Sequence, residues 1–278
     1  MTAEMAGEMT AEMTAEMTAE ITMAAQTADP LLQVTQISHS FGGLHVLRGV
    51  DFGVPAGSLT GLIGPNGAGK STLFNIISGF LPPQRGSVRF DGRDITRDPV
   101  RTRARAGLVR TFQTPKVFGK LSVRENLMVG CHRHLASGLT GNMLRSRRSR
   151  VEMELMHAQA AQAGERFGLS EVMERPAGQV PAGMQRLVEL ARGCLSRPRL
   201  LMLDEPSSGL NTTEIGQLRE LLQRLNREGI TILLVSHDMQ LVDVASRVHV
   251  LCFGSIIAAG AMAQIKQDER VRQAYLGV

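Results

Sequence analysis

A chain of 278 residues with 43% hydrophobic and 21% charged side chains can hold one large domain or two small ones, and its composition is that of a soluble globular protein. No stretch reaches the roughly eighteen uninterrupted apolar residues that a membrane span needs; the uncharged run 250–263 is too short and contains Ser255 and two glycines. The net charge of +5 is unevenly spread: residues 1–29 carry six acidic side chains and no Lys or Arg, which leaves 31 basic against 20 acidic residues in the remainder, an excess of 11. Such a body suits phosphate ligands, nucleic acid or an anionic membrane surface, and charge alone does not choose among them.

The chain opens with Met-Thr-Ala-Glu at 1–4, 9–12, 13–16 and 17–20, and Met-Ala-Gly-Glu at 5–8. A period of four drifts about 40° per repeat on an α-helix, so the methionines spiral instead of forming one stripe. Residues 1–29 are therefore expected to be a disordered tail, and 30–278 the folded domain. The start lacks the basic residues and apolar core of a secretory signal, so the expectation is a protein that stays in the cytoplasm. Cys131, Cys194 and Cys252 lie far apart, match no metal or redox spacing, and read as reduced thiols.

From Leu31 strands alternate with helices. Leu32–Ser40, Leu44–Val54 and Ser58–Ile63 read as strands, followed by a helix from Ser71 through Leu73, Ile76 and Ile77. Ser87–Phe90 reads as a strand ending in an Asp91-Gly92 turn, and about 118–176 is helix-rich. Alternation returns with Leu200–Leu203, a helix over Thr213–Arg227, and Ile230–Val235. Asn211 and Glu214 have capping-box spacing, Ile215, Leu218, Leu222 and Leu225 share a face, and Gly229 stops the helix. Wholly apolar strands between amphipathic helices predict an α/β fold with a mainly parallel sheet covered on both faces.

The sharpest motif is Gly64-Pro65-Asn66-Gly67-Ala68-Gly69-Lys70-Ser71-Thr72, placed between a strand and a helix. Glycines let the backbone approach phosphate oxygens, and successive N–H groups at a helix start supply positive potential. Lys70 is expected to reach the β- and γ-phosphates of a bound nucleotide, and the Ser71 hydroxyl to bind Mg²⁺. Downstream, the apolar Leu200-Leu201-Met202-Leu203 ends in Asp204-Glu205-Pro206. That puts two acids at the sheet edge where open α/β sheets bind nucleotides. Asp204 is expected in the Mg²⁺ shell and Glu205 as the group that polarises the attacking water. These motifs alone admit kinases, GTPases and ATPases, although no Asn-Lys-x-Asp base-reading motif is present.

Three further segments and one aromatic residue narrow the choice. Ser207-Ser208-Gly209-Leu210-Asn211, Val235-Ser236-His237-Asp238 and Val109-Arg110-Thr111-Phe112-Gln113 resemble, in order, the D-loop, switch histidine and Q-loop of ABC-type ATPases. Phe41 stands where that family places an aromatic against adenine. The resemblance covers about 31–278 and implies a P-loop NTPase cassette with an N-terminal antiparallel β region and a helical subdomain inserted at about 118–195. It implies His237 on the γ-phosphate, Gln113 as a metal-sensing ligand, and closure of two cassettes, identical or related, over ATP. The family's Leu-Ser-Gly-Gly-Gln signature aligns with Val180-Pro181-Ala182-Gly183-Met184, of which only Gly183 is kept. Gly183 is the residue expected to contact ATP across the dimer.

Asp91-Gly92-Arg93-Asp94-Ile95-Thr96, Leu121-Ser122-Val123-Arg124-Glu125-Asn126-Leu127, Cys131-His132-Arg133-His134 and Ala274-Tyr275-Leu276-Gly277 resemble the branch that imports branched-chain amino acids. By that resemblance the chain is the cytoplasmic ATP hydrolase of an importer, on the inner face of the membrane. Its partners are a second cassette and separate permeases, with an external solute-binding protein served indirectly and no nucleic acid. Other solutes such as urea or amides, or a non-transport ABC ATPase, are the alternatives. The basic run 145–150 reads as a solvated loop, with anionic headgroups as the alternative partner.

Overall fold

The computed structural model describes residues 30–131 and 147–276. The repeats at 1–29, His132–His134 and the first two residues of the basic run lie outside these. Strands β1 (Leu32–Phe41), β2 (Leu44–Val54), β4 (Arg85–Phe90) and β5 (Arg93–Asp94) make an antiparallel sheet in the order β2-β1-β4-β5. The β1–β2 hairpin pairs from Leu32 opposite Val54 to Phe41 opposite Leu44, with register shifts between Val34 and Ser40. A second sheet has the order β10-β9-β3-β8-β7-β6, built from β3 (Leu59–Ile63), β6 (Leu108–Arg110), β7 (Leu200–Asp204), β8 (Thr231–Val235), β9 (Arg247–Cys252) and β10 (Ser255–Gly260). Its pairs are parallel except β9–β10.

Every residue of β3, β7 and β8 is buried, because both faces of this sheet are covered. Leu201 and Leu203 of β7 enter one core with Val188 and Leu190 of helix α5 (Ala182–Leu195) and Leu218, Leu222 and Leu225 of α6 (Thr212–Arg227). Leu200 and Met202 point the other way, into a core with Leu73, Phe74, Ile76 and Ile77 of α1 (Lys70–Ser78) and with the antiparallel sheet. The period of two thus divides β7 between two cores. In α6 the capping box forms as expected: Glu214 N–H donates to Asn211 Oδ1 at 3.0 Å and Asn211 N–H to Glu214 Oε2 at 2.8 Å. Gly229 follows it at φ 92.

Short α2 (Val100–Ala106) precedes β6, and α3 (Val123–Cys131), α4 (Arg147–Arg166) and α5 supply the expected helix-rich region, with α3 packed on both others. The sequence reading missed the β9–β10 hairpin. The start of the uncharged run 250–263 belongs to β9, which lies beside β3 and is almost wholly buried. After it come α7's successors α8 (Met262–Gln267) and α9 (Glu269–Leu276), α7 being the single turn Met239–Val242 after β8.

Candidate functional site

The strand order sets β3, β8, β7 and β6 side by side, so the four predicted segments leave from one sheet edge. From β3 the chain enters Gly64–Gly69 and then α1. Gly69 is the residue before α1, at φ 106. A Cβ there would sit 2.8 Å from Leu47 Cδ2 and 2.9 Å from Val46 O, and one at Gly64 would sit 2.0 Å from Leu251 O. Glycine is required at both because neighbouring backbone occupies the space a side chain would need. No side chain caps α1, so its first N–H groups face the loop without competition. Lys70 is buried and donates from Nζ to Gly64 O at 2.6 Å and Pro65 O at 3.0 Å. Burial pulls its pKa below the usual lysine range, while Glu205 and Asp204 push it back up.

The two acids after β7 have different surroundings. Asp204 is buried and pairs through Oδ2 with Arg110 Nη2 at 2.7 Å. Glu205 has φ 49, in the left-handed region. Its Oε2 meets His237 Nδ1 at 2.7 Å and accepts the His237 N–H at 3.2 Å. The His237 side chain is 70% exposed and therefore free to meet a group from outside.

Gln113 follows β6, and its carbonyl accepts from Arg186 Nη2 at 2.6 Å. Arg186, Glu189 and Arg192 lie three residues apart on one stripe of α5, and all three hold the segment after β6. Arg186 Nη1 donates to Phe112 O at 3.3 Å, Glu189 Oε1 accepts from Lys116 N–H at 3.0 Å, and Arg192 donates to Lys116 O. Burial raises the pKa of Glu189 against the pull of these N–H groups and arginines. Sequence alone does not mark these three residues, since charges three apart on a helix usually form a solvated face.

A cavity of about 370 Å³ is lined by Val46, 66–72, Gln113, Asp204, Glu205 and Val235. It brings together most of the predicted residues, with His237 attached through Glu205. Phe41 lies apart from it, 52% exposed at the end of β1 with its ring edge-on to His39, and Val46 of β2 lines the cavity instead. Gly183 is also apart, in the first turn of α5, where a Cβ would lie 3.3 Å from Glu214 Oε1.

Comparison with known proteins agrees with this layout. Residues 47–208 match the profile of the ABC transporter family. The chain belongs to the ABC transporter ATP-binding family. Residues 255–278 of the cassette match a second profile, described as branched-chain amino acid ATP-binding cassette transporter. The cassette is 41% identical over 253 residues to the high-affinity branched-chain amino acid transport ATP-binding protein BraF of Pseudomonas aeruginosa, covering 89% of this chain and 98% of that one. It is 39% identical over 252 residues to the corresponding protein LivG of Escherichia coli, covering 90% and 99%. Among solved structures, a nucleotide-free ATP-binding cassette from an ABC transporter superposes with a TM-score of 0.77 at 32% identity, over 90% of this chain and 100% of that one. A cassette in its ADP conformation matches with the same TM-score at 31% identity, over 90% of this chain and 100% of that one.

Within the cassette the degenerate signature is a bare helix start. Pro181 is the cap residue of α5 and makes no side-chain cap bond. Pro181 and Ala182 are exposed, whereas Met184 is half-buried against the core.

Proposed function

We propose that this cassette hydrolyses Mg-ATP in a dimer of cassettes to power import of branched-chain amino acids through separate membrane permeases, served by an external solute-binding protein. The observation that carries the reading is the single cavity that gathers the phosphate loop, Gln113, Asp204 and Glu205. The solute follows from the names of BraF and LivG and from the match at 255–278. The place of action is the inner face of the membrane. Residues 30–278 act as one cassette, 118–195 as its helical insertion, and 1–29 as a tail.

Oxygen donors suit Mg²⁺, and Ser71, Asp204 and Gln113 line this cavity. Among the described residues no cluster of three His, Cys, Asp or Glu is set to hold a metal alone. That fits an ion held by one carboxylate together with substrate phosphates. When bound, Mg²⁺ neutralises phosphate charge.

The chain's own groups do the rest. The N–H groups of Gly67 to Thr72 wrap the phosphates, and Lys70 turns from its carbonyl partners to the β- and γ-oxygens. Glu205 orients the attacking water. His237 holds the γ-phosphate, its ring kept in place by Glu205. Phe41 stacks on adenine, and Gly183 of the opposite cassette closes over the γ-phosphate with N–H groups at a helix start.

The test uses cells of the source organism lacking this chain. Labelled leucine uptake is expected to return with the wild type and not with Lys70→Ala, whose ATP affinity by titration calorimetry falls at least about tenfold for one lost charge-assisted bond. Uptake that returns with Lys70→Ala, or that is never lost, overturns the reading.

A further inference from the structure

Arg110 ends β6 and is as buried as its partner, with side-chain exposures of 7% for Arg110 and 9% for Asp204. Three sets of contacts fix its guanidinium. Nη2 bonds Asp204 Oδ2 at 2.7 Å, and Nη1 bonds Asn75 Oδ1 at 2.7 Å and Ser78 Oγ at 3.0 Å. The rings of Phe74, Phe80 and Phe112 surround it, their centroids 5.5, 5.9 and 5.2 Å from Cζ. Asn75 and Ser78 belong to α1, the helix whose first turn carries Lys70 and Ser71. One planar group therefore bridges the phosphate-loop helix and the acid at the end of β7.

We propose that Arg110 is a positioning residue of the hydrolysis site, which holds the Asp204 carboxylate at a fixed separation from α1 and thereby sets the cation geometry shared by Asp204 and Ser71. The inference rests on the assignment of Asp204 to the cation shell. Arg110 occupies Oδ2 and leaves Oδ1 for a second partner. Two effects oppose each other. The positive charge of Arg110 weakens the pull of Asp204 on a cation, whereas the fixed geometry strengthens it by removing the cost of ordering the carboxylate. Geometry dominates because a released Asp204 has a second cation at hand in Lys70, which lines the same cavity. A carboxylate turned to Lys70 is lost to the metal. Lysine cannot replace Arg110, because one ammonium cannot bond both Asp204 and the two α1 oxygens in a planar fork.

The experiment titrates Mn²⁺ into the full chain saturated with a non-hydrolysable ATP analogue, with analogue affinity in EDTA measured alongside. Arg110→Met and Arg110→Lys are each expected to weaken Mn²⁺ binding about 10- to 100-fold, as loss of a group orienting a metal ligand does. Analogue affinity in EDTA should hold within about threefold, since the phosphate loop is untouched. In an Asp204→Asn background, Arg110→Met should add nothing, because the carboxylate it orients is gone. If Asp204→Asn alone leaves Mn²⁺ binding unchanged, the assignment of Asp204 fails. If Asp204→Asn weakens it but both Arg110 variants bind Mn²⁺ as tightly as wild type or more so, Arg110 only neutralises charge and the proposal is overturned. Loss of any melting transition in both Arg110 variants also overturns it, in favour of a purely structural arginine.

Discussion

Asp204 and Glu205 are adjacent in the chain, yet their surroundings differ, and each suits a different task under the proposed function. Asp204 is enclosed and already neutralised by Arg110, which suits a fixed ligand. Glu205 reaches the cavity and has an exposed imidazole as its partner, which suits a group that must meet water. Its left-handed φ of 49 costs about 1–2 kcal/mol in a residue with a Cβ. The turn is held by Glu205 N–H to Val235 O at 2.9 Å and Ser208 N–H to Glu205 O at 3.1 Å. Strain kept at a sheet edge beside a phosphate loop points to a side chain whose direction matters. Glu205→Gln keeps the shape and the bond to His237 but removes the carboxylate. Turnover is expected to fall about 10²- to 10⁴-fold, the usual worth of a positioned base, with ATP affinity nearly unchanged. Phosphate release and equilibrium binding of ATP measure the two quantities separately. Undiminished release in the variant rules Glu205 out as the group acting on water.

At the scale of elements, β9 joins the two sheets through His249, which is buried and packs against Phe52 of β2 with ring centroids 5.2 Å apart. Burial, helped by the nearby Arg247 charge, pushes this imidazole down from 6.5 to about 4. The folded pKa lies below the unfolded one, so between those values the unfolded chain binds more protons. The neutral ring's contribution is therefore fully present above about pH 6.5 and is lost as pH falls toward 4, to a limit of about 3 kcal/mol. Urea melts of wild type and His249→Phe from pH 7.5 to 4 should show a smaller loss in the variant, and parallel losses would exclude His249 as a source of acid sensitivity. Nothing at this position was legible beforehand, because a histidine between two valines looks alike whether or not a second sheet covers it. What could be read were local patterns: the phosphate loop, the capping box of α6, the apolar runs of β3, β7 and β8. Contacts between distant segments could not. Arg103 is one example, its Nη1 donating to Ile76 O and Ile77 O at 2.7 Å each and so closing the far end of α1. The α5 stripe on the Q-loop segment is another. Both look like ordinary surface charges until the topology buries them.

For the whole molecule, the proposed closure of two cassettes over ATP turns on the start of α5. Pro181 offers no hydroxyl, and Met184, half-buried against the core, offers no amide. Backbone N–H groups at the start of α5 and the helix dipole remain, in a first turn where Pro181 and Ala182 are exposed among the described residues. A missing charge-assisted bond is worth about 1.5–3 kcal/mol, or roughly ten- to a hundredfold in rate if felt mainly in the transition state. Basal ATPase of the isolated cassette is therefore expected to be slow, with stimulation once permeases hold two cassettes face to face and supply the missing closure energy. Pro181→Ser is the cleaner repair, since serine at the cap position also bonds the first turn and should add about 1 kcal/mol to α5. Met184→Gln carries a cost, because it places an amide against the core. Phosphate release should rise with Pro181→Ser in the isolated protein, and the gain should shrink in reconstituted vesicles where permeases already enforce closure. If wild type alone is fast, or if Pro181→Ser gives the same gain with and without permeases, the altered signature does not limit closure, and the slow step lies within a single cassette.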